Sequence, residues 1–178
     1  DVYKRQVNTL INPAKLKNLV YENPINRNAG LDIHENPIKN HQYLITVDVA
    51  RGLGNDYSAF IVVDITNFPY NIVAKYKNNE IKPMLFPSVI YDVAKGYNDA
   101  FLLVEVNDIG DQVASIIHYD LEYDNLLMAS MRGRAGQVVG TGFSGKKTQL
   151  GVRTTAAVKK LGCSNLKTLL EDDKILVK

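Results

Sequence analysis

The sequence predicts an α/β fold on a mixed sheet: three antiparallel strands followed by parallel strands, with helices on both faces. Three observations lead there. The apolar run Tyr43-Leu44-Ile45-Thr46-Val47 ends on Asp48 and passes through a Gly-rich turn, Val49 to Asp56, into a second run, Tyr57 to Asp64. Two such runs around a short Gly-rich connection read as a hairpin. A third run near 70–77 follows Thr66-Asn67-Phe68-Pro69, a turn sequence. From there helical and strand patterns alternate, which brings in parallel pairing.

The elements follow in order. Residues 1 to about 40 are polar, with Asn-Pro at 12–13, 23–24 and 36–37. They read as a tail and linker in which only Pro13 to Tyr21 looks helical. Strands are expected near 42–50, 57–65 and 70–77. Pro83 to Tyr97 has a helical pattern with Gly96 near its end. Residues 100–106 form a strand, Phe101-Leu102-Leu103-Val104, that ends on Glu105. Asp108 to Tyr119 carries Ile109, Val113, Ile116 and Ile117 on one helical face, and Asp108 is a candidate N-cap. Asn125 to Ala129 is a short strand, Thr154 to Leu161 and Ser164 to Glu171 are helical, and Ile175-Leu176-Val177 begins a further strand.

Composition sets the bounds. A chain of 178 residues is one domain's worth of material, and 46% apolar content is enough for a core. No apolar run reaches membrane-spanning length, so no membrane partner is expected. The single cysteine, Cys163, fits a reducing compartment and reads as a small core hydrophobe. His34, His41 and His118 have no ligand-like spacing and read as surface or helix-face residues.

The net charge of +2 hides a polarity. Asn98 to Asp124 holds seven acids and no Lys or Arg, whereas Met131 to Lys160 holds seven bases and no acid. A basic Gly-rich loop beside an acidic rim suits a phosphodiester substrate, the bases holding the backbone and the acids holding metal. Arg132, Arg134, Lys146, Lys147 and Arg153 are the candidate DNA contacts. The segment Gly140 to Thr148 nearly spells a phosphate loop, but Lys147 stands where a Ser or Thr should ligate Mg²⁺.

Three antiparallel strands, then helix, strand, helix and strand, is the order of the ribonuclease H-like fold. There the first strand is central and the fourth lies beside it in parallel. Adjacent strands are about 4.8 Å apart, so Asp48 and Glu105 are expected to end as neighbours. Like charges about 4 Å apart repel by about 1 kcal/mol in water and about 4 kcal/mol near a protein surface. A hard divalent cation offsets that repulsion, and Mg²⁺ or Mn²⁺ takes oxygen ligands of this kind. Asp48 and Glu105 are therefore the candidate catalytic and metal-binding residues. Asp56 is either a turn residue or an acid that orients a metal-bound water or Arg51, and Asn107 is placed to hold Glu105.

The chain also resembles the large terminase subunit of tailed phages, the DNA-packaging motor. The resemblance lies in Thr46 to Tyr57, in Glu105-Val106-Asn107-Asp108-Ile109-Gly110, and in Gly151 to Thr155 through Gly162 to Leu169. It implies a C-terminal nuclease domain that cuts concatemeric double-stranded DNA with two Mg²⁺ or Mn²⁺ ions about 3.5–4 Å apart. It implies Asp48 and Glu105 as the first two metal-binding acids. Portal protein and small terminase subunit are implied as partners, and the host cytoplasm as location. Residues 7 to about 40 would be the tail of an ATPase domain and a linker, and 41–178 the nuclease domain, truncated before its third catalytic acid. Asp1 to Gln6 resembles translated adapter sequence and is set aside. Two other readings stay open on the residues alone. One is an actin-like or sugar-kinase-type ATPase, which needs a second Gly-rich hairpin. The other is a DNA-docking piece of the motor without catalysis.

Overall fold

Alternation in one strand organises the molecule. In β3 (Tyr43–Asp48) Tyr43, Ile45 and Val47 are buried while Leu44, Thr46 and Asp48 point to the other face. A strand directs successive side chains to opposite faces, so one side of the sheet carries the core. The computed structural model describes residues 9–19, 21–131, 137–141 and 148–178.

The chain begins, among the described residues, with α1 (Pro13–Lys17), capped by the Asn12 side chain. A short hairpin follows, β1 (Asn26–Asn28) and β2 (Leu31–Ile33). Then come β3, β4 (Ser58–Asp64) and β5 (Tyr70–Asn78), antiparallel to one another. Helix α2 (Phe86–Gly96) leads to β6 (Phe101–Val104), which pairs with β3 in parallel. Helix α3 (Gly110–Ser115) runs into a π-helical turn, Ile116–Asp120. A three-stranded antiparallel sheet is formed by β7 (Met128–Met131), β8 (Gln137–Gly140) and β9 (Thr148–Leu150), with β7 in the middle. Helix α4 (Ala156–Glu171) and β10 (Ile175–Leu176) follow.

The main sheet has seven strands in the order β1-β2-β5-β4-β3-β6, with β10 parallel to the start of β5. The two sheets meet at β6. Leu126 bridges Leu102 in parallel near the start of that strand, and Val152 bridges Glu105 just past its end.

The core lies between the sheet and the α2/α3 layer. Phe60 and Tyr76 are cross-strand partners with stacked rings, and Phe86 at the start of α2 stacks on both. Ile90 and Ala94 continue the α2 stripe, while Val113 and Ile117 supply the next layer. Val62, Leu102, Val104 and Leu126 close it. Each large apolar side chain buried this way contributes about 1.5–3 kcal/mol.

Several sequence expectations shift. The stretch before residue 42 is not all tail: β2 pairs with β5 and extends the sheet. The strands were hidden because β1 is exposed throughout and rich in Asn and Arg. The two expected helices near the C-terminus are one, with Gly162 in its interior. Helix α4 buries no residue, so Cys163 is only partly covered and is not a core residue. His34 is buried, not on the surface, because β2 is clamped to β5 and the His34 backbone N–H donates to Val73 O at 2.8 Å. Asp108 does not cap α3; Ile109 occupies that position and Asp108 takes φ 52°. The basic stretch is not simply a loop, since 137–140 and 148–150 are strands. No described helix is long and apolar enough to cross a membrane.

Leu102 tests the frame. It is fully buried at the centre of β6, so Leu102→Ala should lower unfolding free energy by about 2–5 kcal/mol. Urea denaturation monitored by circular dichroism would measure it, and a loss under about 1 kcal/mol would place β6 outside the core.

Candidate metal centre

Parallel register sets the two acids side by side. Val47 and Val104 are direct partners in β3 and β6, and Asp48 and Glu105 are the next residue of each. The Glu105 backbone N–H donates to Val47 O at 2.9 Å. Because Leu102 and Val104 are buried in β6 as Ile45 and Val47 are in β3, both carboxylates emerge on the face away from α2. A shallow cleft of about 340 Å³ on that face is lined by Thr46, Asp48, Ala59, Ile61, Leu103 and Glu105, among others. A second cleft, about 430 Å³, starts at Asp48 and runs along the β3–β4 turn past Arg51, Asp56, Tyr57 and Asp108. Asp48 is common to both.

Charge at this point is unbalanced. The Asp48 carboxyl is held above the ordinary range, first by burial at the strand end, then by the charge of Glu105 and a hydrogen bond shared with it. Asp56 adds a smaller push in the same direction. The site thus concentrates negative charge that a cation would relieve.

The backbone on either side is fixed. Asn107 donates through Nδ2 to Glu105 Oε1 at 2.9 Å and lies 3.2 Å from Thr154 O, tying Glu105 to the segment before α4. A Cβ on Gly110 would overlap the Glu105 carbonyl oxygen, so only glycine lets α3 start this close to the strand end. On the β3 side, Ser58 is fully buried. Its Oγ accepts from Ala50 N at 3.0 Å and lies 3.2 Å from Ala50 O, clasping the backbone two residues after Asp48. Ser58 did not stand out in the sequence; its signal was a small polar residue opening an otherwise apolar strand.

The other candidates distribute as follows. Asp56 lines the cleft with Asp48 but does not hold Arg51, which forms an ion pair with Asp108 at 2.8 Å instead. Arg153 is exposed. Its backbone is gripped by the Gln137 amide, which accepts from Arg153 N at 3.0 Å and donates to Arg153 O at 2.7 Å. That grip sets Arg153 next to Val152, the residue bridged to Glu105. Arg132, Arg134, Lys146 and Lys147, and most of the segment resembling a phosphate loop, lie outside the described residues. Asp172 caps the end of α4, and Asp173 pairs with Lys15 at 2.6 Å beside α1, remote from the acids.

The donor set fits a hard divalent ion. Two carboxylates, one with its proton affinity raised by the other, suit Mg²⁺ or Mn²⁺, which take one or two carboxylates and complete their shell with water and phosphate oxygens. Among the described residues, no group of three or more His, Cys, Asp or Glu side chains is placed to hold a metal. Asp48 and Glu105 are the pair of carboxylates that parallel register brings together here.

Comparison with known proteins agrees with this frame. A family model described as "Terminase RNaseH-like domain" matches residues 45–178. The large terminase nuclease from thermophilic phage G20c, crystallised with bound cobalt, superposes with a TM-score of 0.67 at 21% identity over 95% of this chain and 73% of that one. The zinc-bound form gives 0.66 at 20% identity, over 94% of this chain and 80% of that one. The large terminase nuclease domain of Thermus phage P74-26 gives 0.61 at 20% identity, over 94% of this chain and 70% of that one. At these identities the structural likeness establishes the ribonuclease H-like fold.

The raised Asp48 pKa has a sign. The folded state holds that proton more tightly than the unfolded state, so this group's contribution falls as pH rises from the ordinary carboxylate range through its raised value. Asp48→Asn should therefore raise the melting temperature of the metal-free protein at pH 7 and flatten its fall over that window. At pH 7, Mn²⁺ should raise the melting temperature of the parent chain and leave that of the variant unchanged. Scanning calorimetry would show both; a variant no more stable than the parent, and still stabilised by Mn²⁺, would contradict the site.

Proposed function

We propose, because this chain belongs to the family of terminase RNase H-like domains, that its site is the nuclease centre of a phage DNA-packaging enzyme. The reading is a divalent-metal-dependent endonuclease that cuts concatemeric double-stranded viral DNA. One observation carries it: Asp48 and Glu105 stand at paired positions on adjacent parallel strands, where burial and then the Glu105 charge hold the Asp48 carboxyl above its ordinary range.

The residues divide the work. Asp48 and Glu105 would hold the metal, Mg²⁺ or Mn²⁺. When bound, such ions lower the pKa of attacking water and neutralise the leaving 3′ oxygen. Asn107 restrains the Glu105 carboxylate by donating to Oε1, which leaves the remaining lone pairs for the ion. Asp56, which lines the cleft with Asp48, would orient a metal-bound water. Arg153 beside the Glu105 strand, together with Arg132, Arg134, Lys146 and Lys147, would hold the DNA backbone through phosphate contacts.

The wider setting is part of the same proposal. Residues 7 to about 40, apart from the β1–β2 hairpin that belongs to the nuclease sheet, would join the nuclease to a packaging ATPase, with portal protein and small terminase subunit as partners in the host cytoplasm. A third acid would complete a second ion site; among the described residues no group of three or more His, Cys, Asp or Glu side chains is placed to hold a metal.

The test is Mn²⁺-dependent plasmid cleavage by this chain and by one extended through a further acid. The extended chain should cut, and Asp48→Asn or Glu105→Gln in it should lower the rate at least about 100-fold, a loss of about 2.7 kcal/mol or more of transition-state stabilisation. Either variant retaining near-parent activity while folded would remove that residue from the reaction. Equal rates for the two chains would mean that the third acid is already present within these 178 residues.

A further inference from the structure

We infer that Arg51 is a phosphate-binding residue for duplex DNA at this centre, and that Asp108 orients it; the inference rests on the nuclease reading above. Arg51 lies three residues past Asp48 on the β3–β4 turn and lines the cleft that Asp48, Asp56 and Asp108 also line. It is the one cation on a wall that otherwise carries only acids and uncharged groups among the described residues. A DNA strand that approaches Asp48 from this side meets carboxylates first. Among the described residues that line the wall, Arg51 supplies the charge that attracts it.

The geometry is that of an arginine prepared for a second ligand. Nε donates to Asp108 Oδ2 and Nη2 to Asp108 Oδ1, both at 2.8 Å. A guanidinium has five N–H donors in a rigid planar fork, and these bonds use two. The others can engage phosphate oxygens without releasing Asp108. Both side chains stay open to solvent, at 65% and 61% exposure. Exposed pairs of this kind add little to stability, and Asp108 makes this one from a turn position at φ 52°. The pair also spans 57 positions in the sequence. It ties the turn after Asp48 to the turn after Glu105, so the arginine is indexed to both acids.

The backbone beneath Arg51 is tied to the turn that follows β5. Gly52 sits at φ 67°, and a Cβ there would overlap the Ile81 carbonyl oxygen. Gly54 N donates to Asn79 O, and Asn79 Nδ2 donates back to Gly54 O, each at 2.9 Å. The Asn78 side chain accepts from Glu80 N and Ile81 N, each at 2.8 Å, and fixes the turn on which this loop rests. A charge on such a base loses little freedom when it binds.

The experiment is duplex DNA binding by fluorescence anisotropy in Ca²⁺ across a salt series, with a melting curve for each protein. Arg51→Ala should weaken binding roughly tenfold, similarly for unrelated sequences, and lower the slope of log K against log salt by about 0.9. Arg51→Lys should keep the parent slope and recover part of the affinity, because the charge remains while the fork is lost. Asp108→Asn should keep the slope as well, because the Arg51 charge is untouched. A parent slope in a folded Arg51→Ala protein would overturn the inference while leaving the nuclease reading intact. Absence of DNA binding by the parent chain would overturn that reading and this inference with it.

Discussion

Two carboxylates held next to each other against their mutual repulsion are the constraint around which this domain is arranged. Nothing in their local sequence favours the encounter, since Asp48 and Glu105 are far apart along the chain. The parallel pairing of β3 with β6 imposes it, and one residue of slip would turn one acid to the opposite face. Burial on the α2 side prevents that slip. A slip of β6 would take Leu102 and Val104 out of the core, and a slip of β3 would take out Ile45 and Val47.

The surroundings stop the strand ends from relaxing apart. Gly110 lets α3 begin against the Glu105 carbonyl, Asn107 restrains the Glu105 side chain, and Ser58 clasps the backbone after Asp48. The Arg51–Asp108 pair joins the two turns from above. The rigid core layer and the fixed turns thus hold an arrangement whose electrostatic cost is about 1–4 kcal/mol without metal. A bound cation would turn that cost into affinity.

The central part of this arrangement was legible in the sequence. Apolar runs with period-two burial mark β3, β4 and β6, and an acid directly after the last apolar residue marks a rim position. The element order then makes the two acids neighbours. What escaped had weaker local signals. The hairpin β1–β2 is polar and exposed, so no alternation reveals it, and its place depends on the β5 edge. Gly162-Cys163-Ser164 looked like a break, but a glycine in a helix interior costs only about 1 kcal/mol and α4 runs through it. Asp108 had the right type and position for a cap, and a distant arginine claimed it. His34 gave no sign of burial because the strands that enclose it are joined through tertiary pairing. Asp56 lies in the cleft as a turn residue of the hairpin, and its expected partner Arg51 is held elsewhere.

The account stands or falls on where a divalent ion binds. Anomalous diffraction from crystals soaked in Mn²⁺, recorded at the manganese edge, locates the ion without reference to activity. The account predicts a peak bonded to carboxylate oxygens of both Asp48 and Glu105, and its loss in Asp48→Asn crystals. A strong manganese peak elsewhere, with none between these two residues, would contradict it.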